Sequence, residues 1–194
     1  MRRWMLATVT GVVIAMATMA TMPAQAAWKS YVDKELGFSF SVPGEVKTGL
    51  GTFRGQESGP RQTIVYRSQE DNIEYRVTVM SFMQAQAEGA TILGERQWMF
   101  TNRRDVLMDA FARVDPGKDA VYGRKIVVNL PDSKGRVTGA FYFNKGKLIV
   151  LEATVLPAHG DLASPDPGRF IDSIAFAPSR AEPGAIELQT PRLE

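Results

Sequence analysis

The chain has 194 residues, a length that fits a single domain preceded by a short N-terminal segment. It contains no cysteine, which excludes disulfides, thiol catalysis and thiolate metal sites. Its 23 basic and 21 acidic residues give a net charge of +2 and are interspersed without a run of either sign. Because nucleic-acid affinity depends on clustered basic charge, this composition argues against a nucleic-acid partner.

The first 26 residues have the three parts of a secretory signal peptide. Arg2-Arg3 form a positive start, residues 4–22 carry no charge, and Ala24-Gln25-Ala26 is a small-x-small cleavage site. We therefore expect cleavage between Ala26 and Ala27 and a periplasmic or secreted mature protein. Loss of Arg2-Arg3 would also remove the net charge. The general secretory route is favoured over twin-arginine export, because two arginines after the start methionine are common in ordinary signals.

An uncleaved membrane anchor is the alternative for this segment. Residues 4–22 are long enough to cross a bilayer, which takes about 20 apolar residues. They are mostly Ala, Thr, Met and Gly, however, which favour the hydrocarbon core less than Leu or Ile do. Cleavage is therefore the favoured interpretation. The lack of cysteine excludes a lipid anchor.

Alternating apolar and polar residues predict strands in the first part of the mature chain. In residues 37–43 (GFSFSVP), Phe38, Phe40 and Val42 lie on one face of a predicted strand. Pro43 and Gly44 end this strand. Three further strands are predicted, at Val46–Phe53, Gln62–Arg67 and Glu74–Phe82. A polar loop and a turn at residues 69–72 separate them.

The period changes between Thr91 and Arg113. Apolar residues there, including Leu107 and Phe111, recur at helical spacing, which predicts one long helix that packs on the sheet. Residues 115–117 (DPG) end it, because proline does not continue a helix and glycine tolerates the reversal. A second interpretation breaks the helix near residues 101–102, where Asn102 would cap a second helix.

Strands return after this helix. They are predicted at Val121–Leu130, Val137–Phe143 and Leu148–Leu156, with a short hairpin loop at residues 144–146 between the last two. The element order predicts an α+β fold, an antiparallel β-sheet packed by helices, as a single domain over residues 27–176.

The C-terminal part combines a short helix with a proline-rich end. Ser164 and Pro165 suit the N-cap and first position of a helix that carries Phe170, Ile171 and Ile174. Beyond it, three prolines interrupt a thin apolar content. We interpret residues 177–194 as a flexible tail.

Motifs at both ends of the domain resemble those of the photosystem II P-protein/Mog1 superfamily. Trp28–Tyr31 leads into residues 37–43, which are similar to its GF-x-F-x-x-P opening strand. Residues 170–174 (FIDSI) are similar to its closing F-x-x-S helix. The resemblance spans about residues 28–176 and implies an α/β/α sandwich. It also implies an assembly factor, a transport-factor partner or a periplasmic protein, since a catalytic site is not typical of the group.

The lone histidine, His159, suggests a hydrolytic set with Asp161 and Ser164. We expect an exposed turn instead, because loop neighbours seldom face each other as nucleophile, base and orienter. One imidazole is too few ligands for a histidine metal site. An all-oxygen calcium site stays open, although Asp161, Asp166 and Asp172 lack the spacing of a calcium loop. No metal or cofactor is predicted.

Trp98, Arg103 and Arg104 are the candidate binding residues, because Trp and Arg are enriched at protein contacts. Arg103 falls on the apolar stripe of the predicted helix. The alternative is therefore an arginine whose stem covers the edge of that stripe while its head reaches solvent or an acid.

Three functions remain open. We favour an exported, non-enzymatic protein that binds or helps to assemble another envelope or membrane protein. A small-molecule-binding module would use Phe141–Phe143, for which core packing is the alternative. A hydrolase would use a carboxylate such as Glu152 within the apolar strand, where pairing with a cross-strand Arg or Lys is the commoner case. Buried carboxylates without a partner would favour the hydrolase.

Overall fold

A computed structural model describes residues 27–54, 60–82, 88–115, 120–177 and 181–192. The predicted signal peptide, residues 1–26, lies outside them. Their elements, in chain order, are β1 (Trp28–Asp33), β2 (Phe38–Pro43), β3 (Lys47–Arg54), β4 (Pro60–Glu70), β5 (Ile73–Ser81), α1 (Gly89–Thr101), β6 (Asp105–Val114), β7 (Val121–Asn129), β8 (Arg136–Asn144), β9 (Lys147–Val155), α2 (Asp166–Asp172) and β10 (Ile186–Glu187). Within these residues no helix combines the length and the apolar character that a membrane crossing requires.

The strands form two sheets. The larger has seven strands in the order β3-β4-β5-β9-β8-β7-β6, and every neighbouring pair is antiparallel. The smaller has the order β10-β1-β2, with β1 antiparallel to β2 and parallel to β10. The predicted antiparallel sheet packed by helices is confirmed. The strands predicted before and after residues 91–113 all form.

Both faces of the large sheet are covered at its centre, as alternate residues of β8 show. Phe141 and Phe143 pack in one hydrophobic cluster with Ile92 and Phe100 of α1. Ala140 and Tyr142 pack in the other, together with α2 and the aromatic residues of β1 and β2. The two helices therefore lie on opposite faces of this sheet.

The motifs at the two ends of the domain contact each other. Ser39 and Ala175 exchange backbone hydrogen bonds of 2.8 and 3.0 Å. The backbone N–H of Ser41 donates to Oγ of Ser173 over 2.9 Å. The opening strand and the closing helix thus hold each other, and they are anchored by side chains of the main core. The helix begins at Asp166, one residue later than predicted, with Pro165 at the N-cap.

The long helix predicted for Thr91–Arg113 is wrong in its second half. α1 ends at Thr101, Arg103 takes a left-handed backbone conformation with φ of 57°, and β6 follows. The sequence of β6, DVLMDAFARV, has apolar residues at both helical and strand spacing, so its period does not separate the two structures. Leu107 and Phe111 are exposed, and Phe111 is 87% exposed, so their expected packing on the sheet is also wrong.

The interpretation of residues 177–194 as a flexible tail needs correction over 186–190. β10 pairs with β1, and the N–H of Leu188 donates to the carbonyl of Val32 over 2.8 Å. The hydroxyl of Thr190 donates to Asp33 over 2.7 Å. Asp33 is fully buried, and a buried carboxyl needs hydrogen-bond donors, so this segment has a fixed place. Residues 178–180 and 193–194 lie outside the described part of the chain.

Candidate functional site

An arginine occupies the buried face of α1. Arg96 lies four residues from both Ile92 and Phe100, the two large apolar side chains that α1 buries, so all three share one helical face. Its guanidinium carbon lies 5.3 Å from the ring centre of Phe141 and 5.9 Å from that of Phe53. Because a charge removed from water needs a counter-charge, this position requires a carboxylate partner.

Glu152, at the centre of β9, is that partner. Its Oε1 accepts a 2.7 Å hydrogen bond from Nη2 of Arg96. Its Oε2 accepts from Nε and Nη2 of Arg76 on β5, over 3.1 and 2.7 Å. The Glu152 side chain is only 8% exposed. Two guanidinium groups therefore share one carboxylate. We call Arg76, Arg96 and Glu152 the cluster, and it keeps a positive charge.

This pairing removes the support for the hydrolase interpretation. Among the described residues the buried carboxylates are Asp33 and Glu152, and both accept hydrogen bonds. Neither oxygen of Glu152 is left without a guanidinium donor. The cross-strand pairing with arginine, named as the commoner case, is what forms.

The loop residues do not form a hydrolytic or metal site. His159 lies on an exposed turn with φ of 68°. The side chains of Asp161 and Ser164 instead accept hydrogen bonds from the backbone N–H groups of Ala163 and Asp166. Within the described ranges, no three His, Asp or Glu side chains lie close enough together to hold a metal ion.

A row of basic residues extends from the cluster across the sheet. Lys47 on β3 is directly opposite Arg67 on β4, and Arg67 is directly opposite Arg76 on β5. Directly opposed side chains lie on one face, and like charges in that position destabilise a sheet. Glu152, opposite Arg76, ends the row as its single acid. We call Lys47, Arg67 and Arg76 the basic row.

A cavity lies beside the basic row on the same face. It has a volume of about 230 Å³ and is lined by Arg67, Arg76, Arg96 and Glu152. Apolar side chains also line it, among them Phe53 of β3, Met80 of β5 and Val150 of β9. Lys47 and Arg67 are exposed, so the positive end of the row meets solvent.

Arg104 lies beside this cluster. It follows the turn after α1, and its guanidinium carbon lies 5.1 Å from the ring centre of Phe100. Burial lowers the pKa of Arg104; the charge of Glu152 opposes this, and the charges of Arg96 and Arg76 reinforce it. Arg104 therefore shares an electrostatic environment with the buried arginines.

The other candidate binding residues lie outside the cluster. Arg103 is exposed in the turn after α1, so its expected place on a helical stripe is wrong. Trp98 is 49% exposed on α1. Within the described residues, neither side chain has a hydrogen bond, ion pair or ring contact to the cluster. Phe141–Phe143 are buried in the core, as the alternative interpretation proposed.

Comparisons with known proteins bear on the fold. No protein-family model matches the chain, and no curated protein matches it. The solution structure of cyanobacterial PsbP (CyanoP) from Synechocystis sp. PCC 6803 covers 88% of this chain and 98% of its own, with a TM-score of 0.50. The chain has a PsbP-like fold. At 17% identity the likeness extends to the fold alone, and in that respect the resemblance of the end motifs is confirmed.

Sequence reasoning named Glu152 and Arg104 separately but missed Arg96, Arg76 and Arg67, which this PsbP-like fold brings close to them. Arg96 was detectable, because it shares the helical register of Ile92 and Phe100. The opposition of Arg67 and Arg76 follows from a two-residue turn at Asp71-Asn72, both with positive φ, once that turn is recognised. The pairing of β5 with β9, which places Glu152, is non-local and has no such local signal.

Proposed function

We propose that this chain is an exported, non-enzymatic domain that binds an acidic segment of another envelope or membrane protein. The basic row carries the proposal. Lys47, Arg67 and Arg76 are opposed like charges that cost stability in the free protein, and an acidic partner would relieve that repulsion. The single acid in the row, Glu152, is already shared by two arginines.

The neighbouring surface extends the proposed contact. Arg104 adds positive charge beside the cluster, while Arg103 and Trp98 are exposed at and near the end of α1. Tryptophan and arginine supply much of the affinity at protein interfaces. In this proposal the helices and the sheet form an α/β/α sandwich that displays the site on its α1 side. Export is supported by the charge and apolar pattern of residues 1–26.

Affinity capture from envelope extracts tests the function. The double variant Lys47→Ser/Arg67→Ser should lose most of the captured partner, and raised salt should release it from the wild-type protein. Lys134→Ser/Lys145→Ser is the matched control, because it removes the same charge from two exposed turns. Equal capture by both double variants would contradict the proposal.

A second variant tests the contribution of the turn after α1. Arg103→Ala/Arg104→Ala should weaken capture while leaving the unfolding transition cooperative. Loss of folding would instead assign these arginines a structural role.

Turnover of a substrate by the purified protein without any partner would contradict the non-enzymatic part of the proposal. Binding of a small dicarboxylate to the cavity, with no captured protein, would favour the small-molecule module.

A further inference from the structure

The outer edge of the large sheet is an apolar strand without a neighbour. β6 is the last strand of that sheet, and no other strand of the described residues pairs with its outer side. Its exposed apolar side chains are Val106, Leu107, Met108 and Phe111. An edge strand of this length and character is a template for pairing with another strand, because its outward N–H and C=O groups have no partner in the sheet.

An irregularity limits the part of β6 that can pair. The register with β7 shifts between Val106 and Met108, which leaves Leu107 in a β-bulge. Bulges bend an edge strand and interrupt regular pairing. From Met108 to Val114 the register is continuous. The regular edge is therefore residues 108–114, with Phe111 at its centre.

We propose that two copies of this chain form a dimer by antiparallel pairing of residues 108–114, with the two Phe111 side chains opposite each other. On the face of Phe111, this register places Asp109 of each copy opposite Arg113 of the other. On the other face it places Met108 opposite Val114, and Ala110 opposite Ala112. Every pair is thus apolar or of opposite charge, and such pairs stabilise antiparallel strands. The proposal is independent of the proposed function.

Other antiparallel registers are less favourable. Centring the pair on Asp109 opposes two identical acids. Centring it on Ala110 places Asp109 opposite Phe111, and centring it on Ala112 places Arg113 opposite Phe111, so neither register pairs Asp109 with Arg113. Directly opposed like charges destabilise a sheet. Only the register centred on Phe111 pairs acids with arginine and opposes no two acids.

The side chains that would meet are already ordered in one copy. Asp109 accepts hydrogen bonds from Nε of Arg124, over 2.9 Å, and from Nε2 of Gln97, over 2.6 Å. The guanidinium carbon of Arg124 lies 4.6 Å from the ring centre of Phe111. Ordered side chains lose less conformational freedom on association. Edge pairing over seven residues is nevertheless small beside the roughly 1,200–2,000 Å² of a stable interface, so the dimer should be concentration-dependent.

Analytical ultracentrifugation of the processed protein, purified from the cells that express it, tests the dimer. The wild-type chain should shift from monomer to dimer with concentration, and Phe111→Lys should weaken association at least about tenfold. Leu50→Lys is the matched control, because Leu50 is 51% exposed on β3, the opposite edge strand of the same sheet. A wild-type chain that stays monomeric to about 1 mM would overturn the proposal. Equal effects of the two variants would do so as well.

Cysteine variants test the register. The chain has no cysteine, so each variant carries a single thiol. In Phe111→Cys the two thiols are directly opposite, within the reach of a disulfide. In Arg113→Cys they lie about 13 Å apart along the strands. Air oxidation should link Phe111→Cys into dimers and leave Arg113→Cys unlinked. Linking of both variants to the same extent, or of neither, would overturn the register.

Discussion

Arg96 on α1 and Glu152 on β9 are joined by a 2.7 Å hydrogen bond at the interface between helix and sheet. The same carboxylate binds Arg76, the innermost member of the basic row. One buried acid therefore both attaches the helix and positions the surface that we propose as the binding site. Stability and recognition depend on the same residue, and variants must be chosen to separate them.

Removing that acid should be costly. Glu152→Ala leaves Arg96 buried without a counter-charge, and we expect the free energy of unfolding to fall by about 3–5 kcal/mol. Chemical denaturation measures this. Glu45→Ala is the control. Glu45 is exposed, and its Oε1 lies 3.9 Å from Nζ of Lys29, so the loss of this surface pair should cost about 0–1 kcal/mol. Similar losses in the two variants would mean that the buried cluster contributes no more than a surface pair.

Two phenylalanines report on where α1 ends. Phe100 is buried against Gly139, where an added Cβ would lie 2.8 Å from the ring, and Phe100→Ala should cost about 3–5 kcal/mol. Phe111→Ala should cost less than about 1 kcal/mol in dilute monomer, because the side chain is exposed on β6. Urea unfolding of both variants tests this. A loss of several kcal/mol for Phe111→Ala would instead support the interpretation of residues 91–113 as one long helix.

Local pattern predicted the regular strands but not the elements that depend on distant partners. In β5 one face is buried in the core and the other is only partly buried, and in β2 the core residues Phe38, Phe40 and Val42 alternate with serines, so alternation is visible in the sequence. β6 is exposed on nearly every residue, and no burial constraint imposes a strand period on it. β10 is two residues long and exists through its pairing with β1. For the same reason sequence reasoning named Glu152 without its partners, because Arg96 and Arg76 meet it through tertiary contacts.

Alkaline pH should destabilise the protein through a buried tyrosine. Tyr142 is fully buried, its hydroxyl has no hydrogen-bond partner in the described residues, and burial raises its pKa from 10.0 to about 12. The neutral form is therefore favoured in the folded state. The resulting stability is complete below pH 10, where both states are protonated. It is lost as the pH rises to about 12, because the unfolded chain ionises first.

The matched variant is Tyr142→Phe. It should make the fall of stability with pH between 10 and 12 shallower, by up to about 1.4 kcal/mol per pH unit. Near neutral pH it should leave stability unchanged or raise it, since a buried hydroxyl without a partner is lost. Tyr122→Phe, at an exposed residue, should keep the wild-type slope. Denaturation at a series of pH values measures this, and identical slopes in all three proteins would contradict the assignment.

Processing should leave Ala27 as the first residue of the exported protein. Ala24 and Ala26 have the small side chains that a signal peptidase site requires. Intact-mass spectrometry of the envelope fraction identifies the N-terminus. Ala26→Arg should block cleavage and leave the full-length chain in the membrane, whereas Gln25→Arg, between the two small positions, should still be processed. A wild-type chain found uncut in the membrane would make the segment an anchor.

The segment after α2 should contribute to stability through Asp33. This buried carboxyl accepts hydrogen bonds from the hydroxyl of Tyr66, the N–H of Leu36 and the hydroxyl of Thr190. Thr190→Val removes one donor, so we expect a loss of about 1–3 kcal/mol in the free energy of unfolding. Deleting residues 181–194 should cost at least as much, because it also removes β10 and the packing of Leu188 on the core. Gln189→Ala is the control, because Gln189 lies between Leu188 and Thr190 with an exposed side chain. It should change stability by less than about 0.5 kcal/mol. Thermal and urea unfolding compare the three, and a deletion that leaves the melting temperature at the wild-type value would show that residues 186–190 behave as the flexible tail first expected.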